Sequence, residues 1–126
     1  MPQITLRISN NIDINSLDLY GLFEAIHEAL RTVPNMDVTT AQSGVIHEDF
    51  SYTGLGDPRM TKMYLEIYWL ENANRLAMKG YLGQSLIKIL EERIVPQVEQ
   101  QNLICIPRVR IANLGVFDQD YHISGD

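Results

Sequence analysis

The sequence predicts an α+β fold, in which two β-α-β units join into one four-stranded sheet with two helices on one face. Three observations predict it. Apolar residues alternate with period two over residues 3–9 and again over 63–69. Each alternating run is followed by a stretch of helical periodicity, and each such stretch by a further strand-like segment. The order β-α-β then β-α-β, with about 60 residues per half, makes a layered domain of sheet and helices. The 126 residues are expected to form a single domain, with half-repeats at about 1–58 and 59–126.

In the first run Ile4, Leu6 and Ile8 share one face, and Thr5 and Arg7 the other. Apolar residues then recur at Leu19, Leu22, Phe23, Ile26, Leu30 and Val33, the stripe of an amphipathic helix that Pro34 ends. Asn15 or Ser16 supplies the cap, and Asp18 sits in the positive first turn. Residues 38–50 are rich in Val, Thr and Ile with broken alternation, which predicts a strand with a bulge near Gly44. Gly54, Gly56 and Asp57-Pro58 mark residues 51–59 as a loop.

The second run puts Met63, Leu65, Ile67 and Trp69 on one face against Tyr64, Glu66 and Tyr68. A helix over about 74–95 follows, with a stripe of Leu76, Gly80, Gly83, Ile87, Leu90 and Ile94, and Leu86 beside it. Two helical glycines cost roughly 1 kcal/mol each relative to alanine; the expectation is that they let the helix lie close on the sheet. Residues 103–111 form the last strand. If the apolar faces meet the helices, the opposite sheet face carries Thr5, Arg7, Tyr64, Glu66 and Tyr68, joined by Arg108 and Arg110. That face is either solvated or a subunit interface, where Tyr and Arg are enriched.

Composition narrows the function. Hydrophobic residues make up 45% and charged residues 21%, as in ordinary globular domains. A net charge of -6 repels a phosphate backbone and speaks against nucleic acid. The apolar stretches fall short of the ~20 residues that span a bilayer, and no basic-then-apolar leader opens the chain, so the expected setting is cytoplasmic, with no membrane contact. The single cysteine, Cys105, suits a reducing compartment and reads as a core residue. His27, His47 and His122 lie on different elements without the i+3 or i+4 partner of a zinc motif, so no metal is expected. Gly54-Leu55-Gly56 lacks the further residues of a phosphate loop, and no serine sits in a nucleophile elbow.

Pro2 follows the initiator methionine directly. Removal of Met1 leaves a secondary amine, which becomes a base near neutral pH if partial desolvation or a nearby cation lowers its pKa. Otherwise Pro2 is an ordinary residue at the start of a strand.

Met1-Pro2, the Ser9-Asn10-Asn11-Ile12 turn, Asp18-Leu19-Tyr20-Gly21-Leu22-Phe23 and Gly83-Gln84-Ser85-Leu86 together resemble the 5-carboxymethyl-2-hydroxymuconate isomerases of the tautomerase superfamily. The similarity runs from the first residue to about Leu114, and on to Phe117-Asp118-Gln119. It implies a trimer of double β-α-β subunits that shifts a proton between enol and keto forms of a small acid in aromatic-compound catabolism. No cofactor is implied. Pro2 matches the catalytic proline, and Arg75 a substrate-binding arginine at the start of the second helix. Where the family carries an Arg-Ser-Arg run that holds carboxylates, this chain reads Gln42-Ser43-Gly44, which places the uncharged Gln42 at a substrate-binding position. His47 lies near a family histidine, one place out of register, and is either a substrate contact or a surface histidine. Two other readings stay open: a non-catalytic trimer that binds a small ligand or a protein, and a ferredoxin-like regulatory module with the same element order.

Overall fold

A computed structural model describes residues 2–114 of the chain. Met1, Phe117-Asp118-Gln119 and His122, named above, lie outside the described residues. Strand β1 spans Gln3–Ile8, helix α1 Leu19–Arg31, β2 Gln42–His47, β3 Met63–Trp69, helix α2 Ala73–Arg93, helix α3 Val95–Glu99 and β4 Arg108–Asn113. The sheet order is β2-β1-β3-β4. β1 and β3 pair antiparallel at the centre, while β2 lies parallel to β1 and β4 parallel to β3. The two strands joined by each helix are thus hydrogen-bonded neighbours, which overturns the ferredoxin-like alternative, whose split units place another strand between them.

The period-two pattern does what the alternation predicts. Ile4, Leu6 and Ile8 of β1 and Met63, Leu65, Ile67 and Trp69 of β3 are buried in one cluster with Leu22, Ile26 and Leu30 of α1 and Leu82, Leu86 and Leu90 of α2. One face of the sheet therefore carries the helices. The other face carries Thr5, Arg7, Tyr64, Glu66 and Tyr68, all half-buried, with Arg108 and Arg110 exposed on the edge strand. Glu66 ties this face together: Oε2 accepts a 2.7 Å bond from the Tyr68 hydroxyl, and Oε1 lies 3.7 Å from Arg7 Nε. Hydrogen bonding to Glu66 pushes the Tyr68 hydroxyl above its ordinary pKa, with burial adding to the effect.

Several local expectations need correction. The cap of α1 is Asp18, whose Oδ1 accepts from Gly21 N at 3.0 Å. A Cβ at Gly21 would collide with that carboxylate. Asn15 and Ser16 belong instead to a 3₁₀ turn over Ile14–Ser16, capped by Asp13. β2 is half the predicted length, because Asp37 folds the preceding residues into a turn by accepting from Thr39 N and Thr39 Oγ1. It has no bulge, since Gly44 sits in unbroken register opposite Thr5. β4 starts late because Pro107 has no N–H to give a ladder. Before it, Ile104 makes only an isolated bridge with Met60. Cys105, placed by that bridge and not by β4, is half-buried with Sγ 3.9 Å from Met63 Sδ, and burial raises its thiol pKa.

Helix α2 turns inward a different stripe from the one its sequence predicts. Its buried stripe is Leu82, Leu86 and Leu90, continued by Ile94, whereas Leu76 is 57% exposed. A Cβ at Gly80 or Gly83 would meet nothing within 4 Å, so neither glycine serves a close approach to the sheet. α3, which periodicity did not reveal, and the turn after it staple the 13–18 loop: Gln97 Oε1 of α3 accepts from Asp18 N and Gln101 Oε1 just beyond it from Asp13 N, at 2.8 Å each.

Candidate active site

Pro2 is buried at the head of β1, one residue before the Gln3–Tyr68 pair, with its carbonyl accepting from Gln42 N at 3.3 Å. That contact puts Gln42, the first and exposed residue of β2, at the same end of the sheet. Arg75 comes to this end from α2. Asn72 caps the helix by accepting from Arg75 N at 2.9 Å. The Arg75 guanidinium then reaches back, donating through Nη1 to Leu70 O just past β3 and through Nη2 to Asn35 O at 3.1 Å in the α1–β2 loop. It clamps two connections that frame the Pro2 end.

Buried polar atoms collect at the same place. Trp69 Nε1 and Arg75 Nε are buried with no hydrogen-bond partner among the described residues. Glu71 Oε1 meets Lys79 Nζ in an ion pair without an aligned hydrogen bond. Native interiors leave few polar atoms unpaired, and those that are unpaired mark functional positions or unseen water. Here they fall within the seven residues that lead from the strand beside Pro2 into α2. Trp69 and Lys79 carry no sequence signal of a site. Trp69 read as core, which its complete burial supports.

No protein-family model matches the chain, and no curated protein is similar to it. Solved structures are. A 5-carboxymethyl-2-hydroxymuconate delta-isomerase superposes with a TM-score of 0.69 over 97% of this chain and 89% of its own, at 15% identity. A 5-carboxymethyl-2-hydroxymuconate isomerase from Deinococcus radiodurans R1 gives 0.68 over 88% and 82%, at 14% identity. The chain has the tautomerase fold. A third tautomerase-fold structure, described as a fused 4-OT symmetric trimer, gives 0.56 over 94% and 90%, at 10% identity. At such identities the likeness is one of fold.

Within the tautomerase fold of this chain, Pro2, Gln42 and Arg75 stand at one end of the sheet. His47 does not. It pairs with Ile8 at the far end of β1, six residues from Pro2, or about 20 Å at ~3.3 Å per residue. His27 lies elsewhere again, on α1, with Nε2 and Ser43 Oγ 2.5 Å apart. Among the described residues no three His, Cys, Asp or Glu side chains gather as metal ligands, and no helix is long and apolar enough to cross a membrane.

Proposed function

We propose that this chain is a cofactor-independent keto–enol tautomerase of small keto acids, with Pro2 as its base once Met1 is removed. The observation that supports this best is the burial of Pro2 at the head of a central strand, at the sheet end where Trp69 Nε1 and Arg75 Nε lack partners. Freed of Met1, the Pro2 nitrogen carries a lone pair. It takes the proton from the carbon beside the keto group, leaving an enolate that is protonated on oxygen, and in reverse it returns the proton to carbon. Burial disfavours the charged ammonium, and a nearby guanidinium repels it, so both lower the amine pKa towards neutrality. Arg75 is the anion contact of this reading, and Gln42 an uncharged one. His47, far away along β1, joins the site only from a neighbouring subunit. The setting that fits is a cytoplasmic homotrimer of single-domain subunits, active in breakdown of aromatic compounds.

The test follows ketonisation of a stable enol by absorbance, in processed protein, in protein that retains Met1, and in Pro2→Ala. The Pro2→Ala rate should fall by about two to four orders of magnitude, the usual worth of a positioned base, with some activity left from the primary amine. Retained Met1 should be more damaging, because the nitrogen is then an amide. Equal rates in all three forms would remove Pro2 as the base.

A second reading is a non-catalytic binding module of the same fold. One observation favours it: two Arg75 donors are already given to backbone carbonyls, and Gln42 brings no charge. Absence of turnover across several enols in processed protein would select it.

A further inference from the structure

Helix α2 carries two cations one turn apart on the same flank, Arg75 and Lys79, and its first turn holds no acid. Their charges are met differently. Arg75 gives Nη1 and Nη2 to the carbonyls of Leu70 and Asn35, which are neutral, so its charge stays uncompensated at the Pro2 end of the sheet. Asp37, in the loop that Arg75 grips, is turned to Thr39 N and Oγ1 instead. Lys79 reaches back towards the start of the helix, as helical side chains do, and its ammonium pairs with Glu71 Oε1.

Glu71 is fixed in this place by backbone. It lies two residues past Trp69, and its N–H donates to Asn113 Oδ1 at the end of β4, at 3.0 Å. The side chains of Glu71 and Lys79 are 20% and 28% exposed, so a ligand reaches the pair from solvent. Together Arg75, Lys79 and Glu71 leave one positive charge over.

We propose that Glu71 determines the specificity of the Pro2 site: by neutralising Lys79 it leaves a single free cation, and so restricts the site to keto acids with one carboxylate. This rests on the reading of Pro2 and Arg75 given above. A charge-assisted hydrogen bond from an ammonium is strong only towards an acceptor that need not displace another carboxylate. A second carboxylate on the substrate would meet the anion of Glu71 where it requires a cation. Removing the charge of Glu71 while keeping its shape leaves Lys79 uncompensated and hands it to the ligand.

Calorimetric titration of the whole processed protein with 2-ketopentanoate and 2-ketoglutarate tests this, because the two acids differ only by a methyl against a carboxylate at the far end. Wild type should bind the monoacid at least as tightly as the diacid. In Glu71→Gln the affinity for 2-ketoglutarate should rise about tenfold or more, with a smaller change for 2-ketopentanoate. Glu71→Asp, which keeps the charge, should keep the wild-type preference. Glu71→Gln combined with Lys79→Met, which restores the charge count, should return to it. Exchange of the C3 protons in D2O, followed by proton NMR on the same samples, separates the two readings: this affinity pattern without exchange would remove Pro2 as the base, while the role of Glu71 would stand. Equal weakening of both acids in Glu71→Gln, an unchanged preference there, a double variant that behaves as Glu71→Gln alone, or no binding of either acid by any form would overturn the proposal.

Discussion

In the proposed site Arg75 is asked to do two things with one guanidinium. Its Nη atoms hold Leu70 O and Asn35 O, while Nε is buried and unpaired. That leaves less of it for a substrate than an unencumbered arginine offers, and Gln42 adds none of the charge-assisted bonding that an arginine would. A monocarboxylate keto–enol pair should therefore turn over at least as well as a dicarboxylate, read as kcat/KM for the two substrate types; strong preference for the dicarboxylate would mean that another cation supplies the missing anchor. A second residue-level test concerns Glu48. The hydrogen bond from Lys62 holds its carboxyl below the ordinary glutamate range, with Ser51 helping. A depressed folded pKa contributes stability that is present above the ordinary value of ~4.3 and lost as pH falls through the folded one. Lys62→Met should then cost up to about 1 kcal/mol at neutral pH, and urea melts of variant and wild type should converge as the pH drops through and below that range. Pro2 and Arg75 stood out in the sequence because terminal position and motif mark them. The distance of His47 from Pro2 did not, since only strand pairing shows which end of β1 it joins.

Among the elements, β1, β3 and α1 were legible because one periodicity governs each from end to end. The outer strands were not. β2 is shortened by the Asp37 turn and β4 by Pro107, and both effects are local hydrogen-bond competition that composition does not reveal. In α2 two stripes compete along the same helix, one through Leu76, Gly80, Gly83 and Ile87 and one through Leu82, Leu86 and Leu90. Both pass into Leu90 and Ile94, so the shared end hid the choice, and packing against α1 and the sheet decides it by burying the leucines. The consequence is testable. With open space at the glycine and ordinary helical backbone, Gly83→Ala should stabilise the protein by about 0.5 to 1 kcal/mol, whereas a glycine needed for close packing would give a loss. Leu86→Ala, by contrast, should cost about 2 to 5 kcal/mol, and thermal melts of the two variants move in opposite directions.

At the scale of the whole molecule the sheet is covered on one face only. The central positions of the uncovered face are half-buried, with Tyr68 and Arg7 both engaging Glu66 and Tyr64 paired beside Arg7, and two more arginines stand at the β4 edge. Its tyrosines and arginines are residue types enriched where subunits meet. In the proposed homotrimer this face lies between copies. Light scattering at micromolar concentration should give three times the 14.4 kDa chain mass. The face itself can be tested by charge. Glu66 is the acceptor that offsets Arg7 and orients Tyr68, so Glu66→Lys places a further cation among Arg7, Arg108 and Arg110. Repulsion across a shared interface would multiply that effect once per copy, while on a monomer the same substitution touches only a half-exposed surface and costs little. The expected result is a drop from trimer to monomer mass with the far-ultraviolet circular dichroism unchanged. A trimer that survives Glu66→Lys would show that the copies meet elsewhere, and a wild-type monomer would leave His47 no route to the Pro2 end.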